Sequence, residues 1–338
     1  MKKKEKIENT IVDFAKLFFA ICIVFIHTNL HTKIIHGLYI KEIVFRVGVP
    51  YFFICSGYFF AKAKNKKDFN FKETIKHYLT PYLFWGLVYM LLHAFLKTSN
   101  PLLYLKSNFI KYLIFFPPCT NIMWYSGSLI ISFFILDKIK NKRILIMSVI
   151  LAFVFYIIGL SFTSYDFVLN SINSDILNKL INVFGDNRNV LFVGYLYTAI
   201  GYLIYGLKNI NIKKVSILLI DSLIMLFIES YCVINNVMGY SYDYLLFHLP
   251  FTALLFIITL NIPFKKDTKK IRCLSANMYY TQFIFIYVAS YILNRTQWGR
   301  KFINNIYYDL CILFCVMVLC LIINKIPNSK IKKLIFSC

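Results

Sequence analysis

Ten apolar runs of about 18 to 22 residues recur along this chain, and they limit what it can fold into. They fall at 10–30, 42–61, 78–97, 119–137, 143–162, 189–207, 214–232, 244–262, 271–293 and 305–325. A run of that length matches the hydrocarbon thickness of a bilayer when coiled as an α-helix, where every backbone polar group is satisfied internally. The pattern predicts an all-α integral membrane protein of about ten transmembrane helices. No polar segment is long enough to be a separate soluble unit, so residues 1–338 read as a single membrane-embedded domain. The chain is 59% hydrophobic, above the level of soluble domains. The N-terminal run lacks a following small-residue cleavage site and reads as a signal-anchor helix.

The formal net charge of +23 raises nucleic acid as a partner. The distribution argues against it. Most Lys and Arg fall in short blocks at every second loop: MKKKEK, AKNKKDFNFKETIKH, DKIKNKR, KNINIKK, PFKKDTKKIR and NKIPNSKIKK. This bias orients membrane proteins with basic loops in the cytoplasm. It places both termini inside, requires an even number of spans and predicts a multi-pass protein of the cell membrane. The nine cysteines show no metal or disulfide spacing, and most lie in or beside apolar runs as small hydrophobes. No metal site is expected. The stretch LLYLKSNFIKYLIFF (102–116) predicts an amphipathic helix along the outer interface, and 162–188 the longest external loop.

Ionisable residues inside membrane runs are costly and are functional candidates by default. Asp13 and Lys16 stand at i,i+3, close enough to pair at the cytoplasmic interface. Lys16 and His27 are eleven residues apart, within about 20° on one helical face, which therefore points into the bundle. With the first helix running outward, His27 falls near its outer end. The alternation of directions brings Arg46, Trp124, Tyr125, Arg188, Asn189, Glu229 and His248 to the same depth. An imidazole can act as general base on a hydroxyl. An arginine can bind a carboxylate, a phosphate or a developing oxyanion. A carboxylate can orient the imidazole or bind sugar hydroxyls, and an indole can stack on a sugar or line an acyl pocket. These residues suit acyl transfer and proton-coupled transport about equally.

The second run reads RVGVPYFFICSGYFF (46–60): Arg46, ten residues, then Gly57-Tyr58-Phe59-Phe60. With IVDFAKLFFAICIVFIHT before it, the chain resembles the integral-membrane acyltransferase type 3 family. That family has a histidine late in its first helix and a basic residue, ten residues, then Gly-apolar-aromatic in its second. NIMWYSGSLIISFFI (121–135) and RNVLFVGYLYTAIGYLIYG (188–206) resemble further family segments. One departure is Gln282, which ends LSANMYYTQ where family members often have histidine.

The resemblance implies a membrane O-acyltransferase with no bound cofactor. Its co-substrate would be cytoplasmic acyl-CoA, most simply acetyl-CoA. The acceptor would be a hydroxyl of a cell-envelope surface glycan or lipid-linked sugar. In this reading His27 and Glu229 are catalytic. Arg46, Gly57, Tyr58 and Phe60 bind the donor, which would thread past Gly57. Trp124, Tyr125, Arg188 and Asn189 bind the acceptor. Gly57 has a simpler reading too, because glycine in a membrane helix permits close helix packing. The alternative function is a transporter or flippase of envelope precursors or of a small molecule such as an amino acid.

Overall fold

A computed structural model describes residues 11–107, 123–161, 163–165, 188–236, 244–262, 264 and 267–326. Most of the expected interfacial helix and of the external loop lies outside the described residues. Among these residues the protein is helical throughout, and every apolar run meets a helix. The helices are α1 Ile11–His27, α2 Gly37–Ile40, α3 Gly48–Lys64, α4 Phe71–Lys97, α5 Trp124–Lys138 and α6 Lys142–Ser161. They continue as α7 Tyr195–Tyr205, α8 Ile212–Asn236, α9 His248–Asn261, α10 Lys269–Leu293, α11 Gln297–Ile303 and α12 Ile306–Lys325. Five rods are long and apolar enough to cross a membrane: Gly37–Lys64, Phe71–Leu96, Lys142–Ser161, Ile212–Asn235 and Ile306–Lys325. The shorter Val190–Tyr205 and His248–Asn261 are also apolar.

The layers follow from which side chains find protein neighbours. α6, α8 and α12 turn Ile, Leu, Val and Phe outward, among them Met147, Ile150, Ile217, Phe227 and Phe314. Such faces find no cover among the described residues, as expected of lipid-facing helices. α1, α3, α5, α7, α9 and α10 form the interior. α3 packs most extensively on α7, and α10 lies between α1 and α12. Gly57 and Gly201 explain the first contact. A methyl group on Gly57 would collide with the Thr198 carbonyl, and one on Gly201 with the Ile54 carbonyl. Two backbones touch where both side chains are absent.

The two ends of the bundle differ. At one end α3 and α5 finish side by side, with Lys64 Nζ donating to the carbonyls of Leu136 (3.0 Å) and Asp137 (2.8 Å). α1 begins there, and Asp13 binds Arg272 of α10 at 3.1 Å and accepts from Thr268 Oγ1 at 2.7 Å. The expected Asp13–Lys16 pairing is thus replaced by a partner 259 residues away. The basic connections between α3 and α4, α5 and α6, and α7 and α8 fall at this end, as does the basic start of α10.

At the opposite end, α1 finishes in His27 and a short 3-10 turn, Leu30–Thr32. Lys33 bonds to Asp309 at the start of α12 at 2.8 Å, with Asp309 fully buried. The second rod begins a turn earlier than its apolar run, because Lys41 and Glu42 are buried there. They sit in a π-turn, Lys41–Phe45. Glu42 lies 3.5 Å from Lys41 Nζ and 3.7 Å from Arg46 Nε.

Candidate active site

One face of α3 presents Val49, Phe52, Ser56 and Phe59, at spacings of three and four residues. This face, with α1, α4, α5 and α10, encloses a cavity of about 360 Å³. At the Asp13 end its walls carry Lys16, His77 and Arg272; farther in they carry Ser56, Tyr125, Ser126 and Tyr279; toward the other end they carry His27, Trp124, Gln282 and Phe283. Lys16 and His27 do share one face and line one space. Eleven residues of helix separate them, about 16 Å. The cavity therefore reaches most of the length of α1.

The His27 ring packs on Phe283 with centroids 4.4 Å apart. Arg46 and Arg188 lie at the same end, near enough to act on that imidazole by charge. Burial first, then Lys41, Arg46 and Lys33, hold the imidazole of His31, in the loop beyond, down to about 4. Tyr125 shares a hydrogen bond with Ser56 (3.1 Å), and Ser126 Oγ donates to Tyr279 Oη at 3.2 Å. These contacts line the middle of the cavity with hydroxyls. The Asp13 end is open, since His77 and Arg272 are exposed. Lys16 Nζ lies 5.8 Å from the Phe59 ring centroid.

The expected residues divide into three groups. His27, Trp124 and Tyr125 are brought together on the cavity. Arg46 and Arg188 lie at the His27 end without lining it, so Arg46 is remote from the Lys16 mouth. The rest face elsewhere. Gly57 is pressed against α7. Phe60 stacks on Phe133 at 4.3 Å and 11° in the core. Tyr58 points into a second recess with Lys62 and Tyr205.

Glu229 accepts from the Tyr165 hydroxyl and from the backbone amides of Leu246 and Phe247, the latter at 2.9 Å. It satisfies amides at the start of α9 that have no helical partner. Asn189 does the same before α7, accepting from Leu191 (2.9 Å) and Phe192 (3.0 Å) at the π-turn Val190–Gly194. His248 Nδ1 accepts from Leu245 N, and its Nε2 meets the Glu42 carbonyl at 2.6 Å. Depth alone cannot separate such helix-end ties from site residues. Arg272, His77, Ser56 and Phe59 were missed. Ser56 and Phe59 were legible as the i+7 and i+10 positions from Val49, but Arg272 and His77 sit in basic blocks whose charge orientation alone explains.

A half-buried imidazole above a hydroxyl-lined passage, with cations at the far mouth, defines a membrane-embedded helical protein equipped for group transfer. The family described as an acyltransferase domain matches residues 9–325. The chain belongs to the acyltransferase type 3 family of membrane proteins. An amino-acid racemase of Enterococcus faecalis is 26% identical over 264 residues, covering 74% of this chain. The chain spans 37% of that relative's length. No solved structure matches the chain.

Proposed function

We propose that this acyltransferase moves an acyl group, most simply acetyl, from cytoplasmic acyl-CoA to a hydroxyl of a cell-envelope glycan or lipid-linked sugar. One observation carries the reading: a single cavity has Lys16, His77 and Arg272 at one mouth and His27 about 16 Å along the same helix. The basic end faces the cytoplasm, by the orientation rule. The protein is then a multi-pass protein of the cell membrane with ten spans. The nucleotide of CoA stays at the inner mouth, where ammonium and guanidinium groups meet its phosphates. The pantetheine arm extends along the Val49–Phe59 face of α3. This route replaces threading past Gly57, which has no space beside it.

His27 takes the proton of the acceptor hydroxyl as its oxygen attacks the thioester carbonyl. The tetrahedral intermediate collapses by breaking the C–S bond. The thiolate leaves and receives the proton held on the imidazole. Arg46 and Arg188 approach from the outer side, where they suit an anionic acceptor or the developing oxyanion. Trp124 supplies a flat apolar surface for a sugar ring.

Reconstituted protein, supplied with acetyl-CoA on the basic side and a lipid-linked sugar on the other, should release free CoA only when acceptor is present. His27→Ala should abolish that release in a folded protein. A second reading, movement of a small molecule, is favoured by a cavity that reaches toward both ends of α1. The racemase relative suggests an amino acid as its cargo. Substrate uptake without CoA release would select that reading.

A further inference from the structure

A second recess, of about 320 Å³, opens where α3, α7 and α9 end. That size is at the lower end for a small-ligand site. Tyr58, Phe59 and Lys62 come from the last turns of α3, Tyr205 ends α7, and Leu260 and Asn261 end α9. The recess therefore lies at the basic end of the bundle. The main cavity has its Lys16 mouth at the same end, and Phe59 lines both spaces. Lys16 Nζ and Lys62 Nζ each lie 5.8 Å from the centroid of that one ring. The two ammoniums are thus at most twice that distance apart, about 12 Å. Mouth and recess are neighbours across a single aromatic side chain.

The walls of the recess say what it can hold. Tyr58 and Tyr205 meet edge to face, with centroids 5.6 Å apart and planes at 72°. With Leu260 they offer flat apolar surface to a planar ring. Asn261 brings a side-chain amide, which can both donate to and accept from the edge of an adenine. Lys62 brings an ammonium, a point charge suited to phosphate. Three helices end here, and helix C-termini carry partial negative charge that disfavours a bare anion. They do not disfavour a base that presents an amino group. The combination fits a purine joined to a phosphate better than it fits phosphate alone. In CoA the pyrophosphate and the 3′-phosphate are separated by one ribose, about 6 to 7 Å by ordinary bond lengths. That is within the reach set by Lys16 and Lys62.

We propose that this recess receives the adenosine 3′-phosphate of the acyl-CoA donor, with the base against Tyr58 and Tyr205 and the 3′-phosphate at Lys62. The pyrophosphate crosses Phe59 to the Lys16 mouth, and the pantetheine arm continues along the main cavity. The inference rests on the acyl-transfer reading above. It makes Tyr58 a donor-binding residue for the nucleotide end of the donor, not for its thioester end.

The test compares three donors in reconstituted full-length protein: acetyl-CoA, acetyl-dephospho-CoA, which lacks the 3′-phosphate, and S-acetyl-4′-phosphopantetheine, which lacks the adenosine. Lys62→Met should raise the KM for acetyl-CoA about fivefold and leave the other two unchanged. Tyr205→Ala should raise the KM for both adenosine-bearing donors about tenfold and leave S-acetyl-4′-phosphopantetheine unchanged. Equal changes with all three donors, or none with any, would overturn the inference; the second result is the one expected if a lipid headgroup fills the recess. Binding of adenosine 3′,5′-bisphosphate gives a readout that needs no turnover. Wild type should bind it in competition with acetyl-CoA, and Tyr205→Ala should bind it about tenfold more weakly. If Tyr205→Ala does not fold, Lys62→Met carries the same comparison, and a wild type that does not bind the bisphosphate overturns the inference without any variant. Wild-type protein that binds the bisphosphate but releases no CoA from acetyl-CoA with any acceptor would overturn the acyl-transfer reading and leave a nucleotide site standing.

Discussion

The two faces of α3 do opposite work within one turn of each other. Ile54 and Gly57 face α7 at van der Waals contact, with no room for a methyl group at Gly57. Phe52, Ser56 and Phe59 face an open space, and all three are only partly buried. The Arg46-ten-Gly57 spacing therefore joins two different constraints. Its arginine belongs to the His27 end of the bundle, and its glycine belongs to the seam with α7. A sequence pattern can thus mark a family without each of its letters touching substrate.

The largest expected effect lies on the cavity side but on another helix. His27→Ala should lower turnover by roughly 10²- to 10⁴-fold, the usual worth of a general base, while leaving the melting temperature near that of the wild type. Retained turnover in the folded variant would move the chemistry elsewhere. The seam side should respond in the opposite way. Gly57→Leu forces a side chain into the Thr198 carbonyl and should destabilise the protein by about 3 kcal/mol or more. Its signature is loss of the monodisperse species in detergent. A folded Gly57→Leu protein with selectively weakened donor kinetics would break the contrast and restore the threading route.

Ser56→Leu gives the complementary result. The position is next to Gly57 in sequence but opens onto the cavity, so leucine can extend without striking backbone. It should raise the KM for acetyl-CoA about tenfold, roughly 1.4 kcal/mol. Loss of the Tyr125 hydrogen bond should cost only about 1 kcal/mol of stability. Equal damage to donor and acceptor kinetics would show that Ser56 lies where the two substrates meet.

How much of this could be read from the sequence depended on range. Helices were legible because twenty apolar residues in a row state their own fold, and α6 and α12 begin within a residue of their runs. The shared face of Lys16 and His27 was legible because it depends only on 100° per residue. Partnerships were not. Asp13 had a lysine three residues away and chose Arg272 of α10, a choice fixed by how α1 and α10 pack. Glu229 looked like an acid of the site because it shares the depth of His27, yet the same depth is where α9 starts with unmet amides. Gly57 was left between a slot and a seam, and Gly201, which decides it, lies 144 positions further on.

The smallest expected effect concerns the mouth, and it separates substrate binding from mere orientation. Basic residues at the inner end of membrane helices are explained by topology alone, so their presence does not identify a phosphate site. Arg272 is a poor probe, because its removal also strands Asp13. Lys16 is cleaner: no ion pair ties it among the described residues, and its side chain lines the cavity beside Phe59. Lys16→Met keeps the length of the side chain and removes the charge. At low ionic strength it should raise the KM for acetyl-CoA about two- to fivefold, on the order of 0.5 to 1 kcal/mol for a partly screened contact. The difference from wild type should shrink as salt is raised toward about 0.5 M, where the screening length falls below about 5 Å. A donor lacking the nucleotide, such as the N-acetylcysteamine thioester, should show neither the loss nor the salt dependence. If that short donor loses as much as acetyl-CoA does, Lys16 shapes the passage and does not read phosphate, and the nucleotide must rest on other cations of the basic end.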